Sequence, residues 1–488
     1  MKGKLKYLLL LPLLITGCNF NKPESNSFES DSSLIESSEQ ESESLDESSS
    51  TKESESEQES ESTTSEESSE TSNKAAWTIL LYICGSDLES GEETDYYGDP
   101  TGNINALATL DITEILSVKN KPSDVNIVIQ TGGASKWDSK YGISNKKLGR
   151  YVVNNNKLQQ VTQLSNASMG SQNTFESFLN WGLSTYPAEK TGIILWNHGG
   201  ALDGCCYDEN YSDDSLTNKE CNNAFKNVFS KQNISDKLEF VGYDCCLMQV
   251  QDIAEVNSHY FNYMVAAQES EAGEGWAYDT WLDDLYAKKD TKTILKAICD
   301  GFIKSYEETY GDYYDNDQTL SVLDLSKIGA YKEAFESFAN SVKSSFTSNS
   351  SKVVNIIKKS KMFASEYCTK DDYNLYVHSY GYDASWFQQV TIDGAKYYLL
   401  YGAHVYGTVD AKDFLTRLEA DSTFSSYSSQ ITNVISLLDE VVIYNAIGDE
   451  AENANGLTLI APLNEYVGYT TGVYTNFTNW KTAIGNIL

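Results

Sequence analysis

Five short apolar runs, each separated from the next by a helix-forming segment, constrain this chain more than any other feature. They are Trp77-Thr78-Ile79-Leu80-Leu81-Tyr82-Ile83, Val125-Asn126-Ile127-Val128-Ile129-Gln130, Thr191-Gly192-Ile193-Ile194-Leu195, Leu238-Glu239-Phe240-Val241 and Tyr263-Met264-Val265-Ala266-Ala267. Continuous β-branched runs, rather than alternating ones, are what parallel strands buried on both faces require. Segments 103–119, 174–185, 218–230 and 249–259 lie between or beside them and carry apolar residues at helical spacing. Strands alternating with helices predict an α/β protein, a sandwich whose mostly parallel central sheet is covered by helices on both faces. A short antiparallel element is expected at Tyr151-Val152-Val153. The last third is harder to parse. Helices are expected over 294–310 and 325–345, with strands at Tyr397-Tyr398-Leu399-Leu400-Tyr401 and Gly456-Leu457-Thr458-Leu459-Ile460. That mixture reads as a C-terminal α+β extension over 331–488, following a main domain over 76–330.

Two of the five strands end in chemistry. The third runs into Trp196-Asn197-His198-Gly199-Gly200. The fourth runs, about fifty residues later, into Gly242-Tyr243-Asp244-Cys245-Cys246-Leu247-Met248. Neighbouring parallel strands bring the loops at their C-terminal ends to one carboxyl edge, where open α/β sheets carry their chemistry. An imidazole and a thiol meeting there make an activated nucleophile.

The first seventy-five residues belong to a different kind of chain. Lys2, Lys4 and Lys6 precede an apolar stretch over 8–15, too short to span a bilayer. It ends Ile15-Thr16-Gly17-Cys18, which reads as a lipoprotein signal over 1–17, cut before a lipidated Cys18. The alternative is an ordinary secretory signal that contains a Cys. Both readings take the protein out of the cytoplasm, and the first anchors it to a membrane face. From Asn19 to Asn73 there are seventeen acidic residues and two lysines, Lys22 and Lys52, in a Ser- and Thr-rich background. That segment holds about fifteen of the thirty-five net negative charges. With almost no apolar content it cannot bury a core, so 18–75 is expected to be a disordered tether. The acidity of the whole chain argues against a nucleic-acid partner, since phosphate binding wants a basic face.

Eight cysteines follow Cys18: Cys84, Cys205, Cys206, Cys221, Cys245, Cys246, Cys299 and Cys368. They include adjacent pairs and no CxxC, which is not the spacing of a structural zinc site or of a small disulfide scaffold. Most are expected to be small buried hydrophobes, and pairing among Cys205, Cys206 and Cys221 stays open. His259, His378 and His404 are dispersed, without metal-ligand spacing.

The residues around His198 and Cys246 resemble the clostripain family of cysteine peptidases, whose catalytic domain is caspase-like. The NHGG string with a downstream DxCLM string carries the resemblance. It extends to Trp77-Thr78-Ile79-Leu80-Leu81-Tyr82 with Asp87-Leu88-Glu89, and to Trp181 with Tyr186-Pro187-Ala188. It continues through 204–217, through Gln268-Glu269-Ser270-Glu271-Ala272-Gly273-Glu274-Gly275-Trp276-Ala277-Tyr278, and more loosely through 320–326 and 455–458. The resemblance implies a secreted, membrane-anchored endopeptidase that cuts proteins or peptides after Arg or Lys through an acyl-enzyme. It implies His198 as general base and Cys246, directly before Leu247-Met248, as nucleophile. Cys245 stands where most members have a small residue.

The backbone N–H groups of Gly199 and Cys246 are expected to form an oxyanion hole. Neighbouring backbone groups are expected to orient the imidazole, with no third residue, and a following helix N-terminus to lower the thiol pKa. Asp244 stands at the family's position for the base of the S1 pocket, where a carboxylate can pair with a guanidinium. Glu274 is the expected second acid, and Ala277 lies where several relatives carry Asp. No cofactor is implied, although a Ca²⁺ site at Asp208, Asp213 and Asp214 competes with a solvated loop there. Two rival readings remain. One is a non-catalytic surface binding protein on the same scaffold, against which the intact His198 and Cys246 count. The other is a peptidase of non-basic P1 specificity, which a neutral pocket would favour.

Overall fold

The computed structural model describes residues 74–94, 100–311, 315–365, 367–379, 384, 387–392, 394–400, 407–461 and 475–487. The signal over 1–17, Cys18, the tether up to residue 73 and His404 lie outside the described residues.

Nine strands form one sheet: β1 (Ala75–Cys84), β2 (Val125–Gly132), β3 (Lys147–Asn154), β4 (Lys157–Ser165), β5 (Ala188–Trp196), β6 (Leu238–Asp244), β7 (Phe261–Ala266), β8 (Thr319–Asp324) and β9 (Val442–Ile447). Their order across the sheet is β9-β8-β7-β6-β5-β1-β2-β3-β4. The five expected apolar runs are the five central strands, all parallel. The β3–β4 hairpin extends one side antiparallel, and β8 and β9 extend the other.

Six of the helices are α1 (Leu107–Ser117), α2 (Gln172–Thr185), α3 (Asn218–Gln232), α4 (Gln251–Asn257), α5 (Tyr278–Tyr286) and α6 (Thr291–Tyr310). Strand side chains alternate between faces. Trp77, Ile79, Leu81 and Ile83 of β1 enter a core shared with Ile112 and Ile115 of α1, Trp281 of α5 and Ile298 of α6. The intervening Tyr82 faces the other layer. Its ring lies 5.1 Å from Phe175 of α2, and Phe175 lies 5.6 Å from Phe225 of α3. Both faces of β1 are therefore sealed, which is why its sequence has no polar alternation. Helix α3 starts cleanly because Thr217 and Glu220 form a reciprocal capping box.

Strands β4, β8 and β9 are not among the expected strands, and each escapes for its own reason. β4 (KLQQVTQLS) is an edge strand with six exposed residues and no apolar run. β8 reads as a strand only once β7 is beside it. β9 comes directly after a helix, Ser428–Val441, with no Gly or Pro between them.

Segments from past residue 330 are built into this layer. β9 pairs with β8, and a small strand at Thr458–Ile460 pairs antiparallel with Thr408–Asp410. The Thr458 N–H donates to the Gln249 carbonyl at 2.9 Å, and the Gly456 N–H to Gln268 Oε1 at 2.6 Å. Gln268 Nε2 in turn donates to Asp410 Oδ2 at 3.0 Å. Gln249 lies just past the thiol loop and Gln268 opens the segment opposite it, so the late part of the chain braces both.

Candidate active site

Register explains why His198 and Cys246 line one cleft. β5 and β6 pair in parallel with Trp196 opposite Asp244. His198 lies two residues beyond Trp196 and Cys246 two beyond Asp244, so both emerge at one height on the carboxyl edge. They line the same cleft, together with Leu88, Asp244, Glu271, Ala272, Gly273 and Gly275. Both are buried, at 4% and 5% exposure. Asn197 fixes the first loop: its Nδ2 donates to the Cys84 carbonyl at 2.8 Å and its Oδ1 accepts from the Tyr207 N–H at 2.7 Å. Gly199 permits the approach of the two loops. A Cβ there would sit 2.1 Å from the Cys246 carbonyl oxygen.

The thiol environment differs from the sequence expectation. Helix α4 begins only at Gln251, five residues past Cys246, so its N-terminus is not at the sulfur. Instead the backbone N–H of Glu271 donates to Cys246 Sγ at 3.3 Å. Leu247 holds φ +64, a left-handed conformation unusual for Leu, and so the turn after Cys246 is strained. The neighbouring Cys245 points elsewhere. Its Sγ donates to the Leu195 carbonyl at 3.4 Å, and burial pushes its thiol well up. All eight cysteines from Cys84 on are buried.

The imidazole is met by a side chain, not by the backbone groups expected from sequence. His198 Nε2 lies 2.7 Å from Asp87 Oδ1. Asp87 belongs to the short helix Ser86–Ser90 that follows β1. Burial pushes its carboxyl up, but the hydrogen bond and charge of His198 outweigh this, with the net shift below the usual value. Each residue of this turn has a task. Leu88 walls the cleft, and buried Glu89 accepts from the Thr109 N–H at 3.0 Å and the Asp138 N–H at 2.8 Å.

Asp244 is 3% exposed at the base of the cleft. Its Oδ1 accepts from the Trp276 N–H at 3.1 Å and its Oδ2 from the Tyr278 hydroxyl at 2.9 Å. Gly275, at φ +62, brings the wall down onto it, since a Cβ there would lie 2.7 Å from Oδ1. Burial pushes the Asp244 carboxyl up to about 7, against hydrogen bonds from Tyr278 and Glu271 that pull it down. Glu271 shares a hydrogen bond with Asp244, and burial, then the Asp244 charge, push it up further. Its Oε1 is buried without a hydrogen-bond partner.

Glu271, not Glu274, is therefore the second carboxyl on the cleft wall. Glu274 is half-buried and accepts from the Tyr310 hydroxyl. Behind the wall, burial also raises Asp111, which accepts from Trp196 Nε1 at 2.5 Å, and raises Glu114 to about 7. The negative charge of Glu274 adds to both shifts. Sequence reasoning passes over Glu271 although it lies in the quoted wall segment. The available signal is its place before Gly273 and Gly275, which turn the chain across the carboxyl edge.

The remaining candidates fall away from this cleft. The His259 side chain, in the turn after α4, is 59% exposed and lies 3.5 Å from Glu255, and His378 is exposed. Asp208 uses both carboxylate oxygens on backbone N–H groups, of Met169 at 2.8 Å and Asn210 at 2.9 Å. Asp214 accepts from the Ser168 hydroxyl. Among the described residues no group of three His, Cys, Asp or Glu side chains is arranged to hold a metal ion.

Comparison with known proteins agrees with this architecture. The model of the clostripain family matches residues 96–472. Clostripain of Hathewaya histolytica is 23% identical over 457 residues, covering 84% of this chain and 79% of that protein. A secreted C11 cysteine protease from Bacteroides thetaiotaomicron, solved with an irreversible peptide inhibitor, superposes with a TM-score of 0.53 at 12% identity, covering 84% of this chain and 99% of that one. An inactive zymogen C11 protease from Parabacteroides distasonis gives 0.50 at 16% identity, with the same coverage. With the family model matched over most of the chain, and a parallel sheet delivering a thiol and an imidazole to one cleft, the protein belongs to the clostripain family and is a cysteine endopeptidase acting on protein or peptide substrates.

Proposed function

We propose that this endopeptidase cleaves after basic residues, Arg in preference to Lys, with Cys246 as nucleophile and His198 as general base. The observation that carries the specificity is the Asp244–Glu271 pair, buried in the cleft beside the thiol with one carboxylate oxygen left without a partner. Two buried carboxyls cannot both ionise cheaply, so one keeps a proton until a cation arrives. A P1 guanidinium supplies that cation and a planar donor pair to match it. The Glu274 carboxylate adds negative potential near the pocket.

Catalysis in this reading needs no cofactor. The Cys246 proton passes to His198 as the sulfur attacks the carbonyl carbon of the scissile bond. The resulting oxyanion is met by the backbone N–H groups of Gly199 and Cys246. The intermediate collapses, His198 returns the proton to the leaving amine, and a thioester remains. Water, deprotonated by His198, then releases the acid and regenerates the thiol.

The test is turnover of peptides that differ only at P1, with Cys246→Ala protein as the control for contaminating activity. Arg is expected to be fastest, Lys slower and neutral residues poor, because they strand a buried carboxylate. A preference for neutral or acidic P1 would reject the pocket assignment.

The proposal extends to location: an extracytoplasmic enzyme, tethered to the membrane through lipidated Cys18. The support is Ile15-Thr16-Gly17-Cys18 after a short apolar run, and the description of the Bacteroides protease as secreted. Wild-type protein is expected in the membrane fraction and Cys18→Ser in the soluble exported fraction. Wild-type protein found fully soluble outside the cell would rule the anchor out.

A further inference from the structure

We infer that Asp87 is a positioning residue for the catalytic pair: its carboxylate, 2.7 Å from His198 Nε2, fixes the tautomer and the plane of the imidazole. This rests on the assignment of Cys246 and His198 made above. A neutral imidazole has one N–H and one lone pair, and the partner of one nitrogen decides the state of the other. An ionised carboxylate only accepts, so it holds the proton on Nε2. Nδ1 is then left with the lone pair that takes the thiol proton. When the ring becomes positively charged, the same carboxylate stabilises the imidazolium.

The geometry around Asp87 is that of a support and not of a chance surface contact. His198 has 5% of its side chain exposed and Asp87 24%, so the pair is largely out of water. Ser86 turns the chain at φ +46 immediately after β1. The Asp87 carbonyl accepts from the Gly91 N–H at 2.8 Å and from Asn105 Nδ2 at 3.1 Å. Glu89, two residues on, anchors the same turn to α1 and to Asp138. The carboxylate is thus pre-placed by a strand end and by hydrogen bonds that do not involve His198. A group merely neutralising charge would not need such fixing. The arrangement also follows from topology: β1 and β5 are paired neighbours, so residues after each emerge side by side. Other titratable groups near the pair include Glu89 on the same turn, Cys84 at the end of β1 with Asp208 and Glu209 beside it, Cys245 and Cys246 on the thiol loop, and Asp244 and Glu271 in the cleft.

The experiment compares wild type with Asp87→Asn, Asp87→Ala and Asp87→Glu on one Arg-P1 peptide, beside His198→Ala and Cys246→Ala. Asp87→Asn keeps the shape but offers an N–H to the ring, which favours the wrong tautomer. Its kcat should fall by about 10²-fold, within the range of a general-base contribution, while KM stays within about twofold. Asp87→Glu should recover part of kcat. In Asp87→Ala the acid limb of the kcat–pH profile should move to lower pH, because the imidazolium has lost its counter-charge. Unchanged thermal unfolding and iodoacetamide labelling of Cys246 would exclude misfolding, and should Asp87→Ala fail to fold, the isosteric Asn variant decides. If Asp87→Asn turns over within about twofold of wild type while the His198 and Cys246 variants are dead, the inference is wrong and the catalytic pair stands. If the His198 or Cys246 variant keeps activity, the underlying assignment fails instead.

Discussion

Cys246→Ala is expected to remove peptidase activity, by on the order of 10³-fold or more, while Cys245→Ala keeps most of it. Two adjacent thiols make this a sharp contrast. Both residues line the cleft, but Cys246 Sγ accepts the N–H of Glu271, another lining residue. Cys245 Sγ is turned into the protein, hydrogen-bonded to the Leu195 carbonyl. A thiol held in apolar surroundings stays protonated and is a poor nucleophile. Turnover and iodoacetamide protection by a competing peptide should be measured on both variants. Loss of activity in the Cys245 variant with survival of the Cys246 variant would reverse the assignment. Some loss of stability is expected for Cys245→Ala, since a fully buried side chain is shortened.

The second large effect concerns Asp244. Truncating one partner of a buried charge pair costs about 2–5 kcal/mol. Asp244→Asn should therefore lower kcat/KM for Arg substrates by at least roughly tenfold, the low end of that range. Alkylation of Cys246 should be nearly unaffected, because the thiol keeps its Glu271 donor. The pH dependence has a definite sign. Burial pushes the empty-pocket carboxyl up to about 7. Below that pH the pocket must release a proton to accept a cation; above it, the charge is already present. KM for an Arg substrate should fall as pH rises through about 7, and this dependence should flatten in Asp244→Asn. Normal cleavage after Arg by the variant would mean that the cation is received elsewhere.

The legible part of this fold is the part with a single physical cause. Val125, Ile127, Val128 and Ile129 of β2, like the apolar residues of β1, are buried whichever way they point, so the sequence there has no choice but to be apolar. The edge strand β4 and the late strand β9 carry no such demand and bear no such mark. The site divides along the same line. His198 and Cys246 are legible because each comes after a recognisable strand, and register then forces them together. Asp87 comes after a strand equally well, yet it lies 111 residues from His198 in sequence, and only the pairing of β1 with β5 makes them neighbours. Glu271 and Glu274 are separated by a turn, and which of them faces the cleft is decided by backbone direction at Gly273 and Gly275. Composition carries no record of that direction.

The bracing of Gln249 and Gln268 by Gly456, Thr458 and Asp410 bears on when the enzyme can exist at all. Synthesis proceeds from the N-terminus, so the His and Cys loops are made well before the partners that hold their flanks. A chain still emerging from the ribosome or crossing a membrane has the reactive groups but not the frame around them. Gln268, for one, is held by a glycine 188 residues further along the chain, so the flanks of the cleft are complete only after that late segment has folded back onto them.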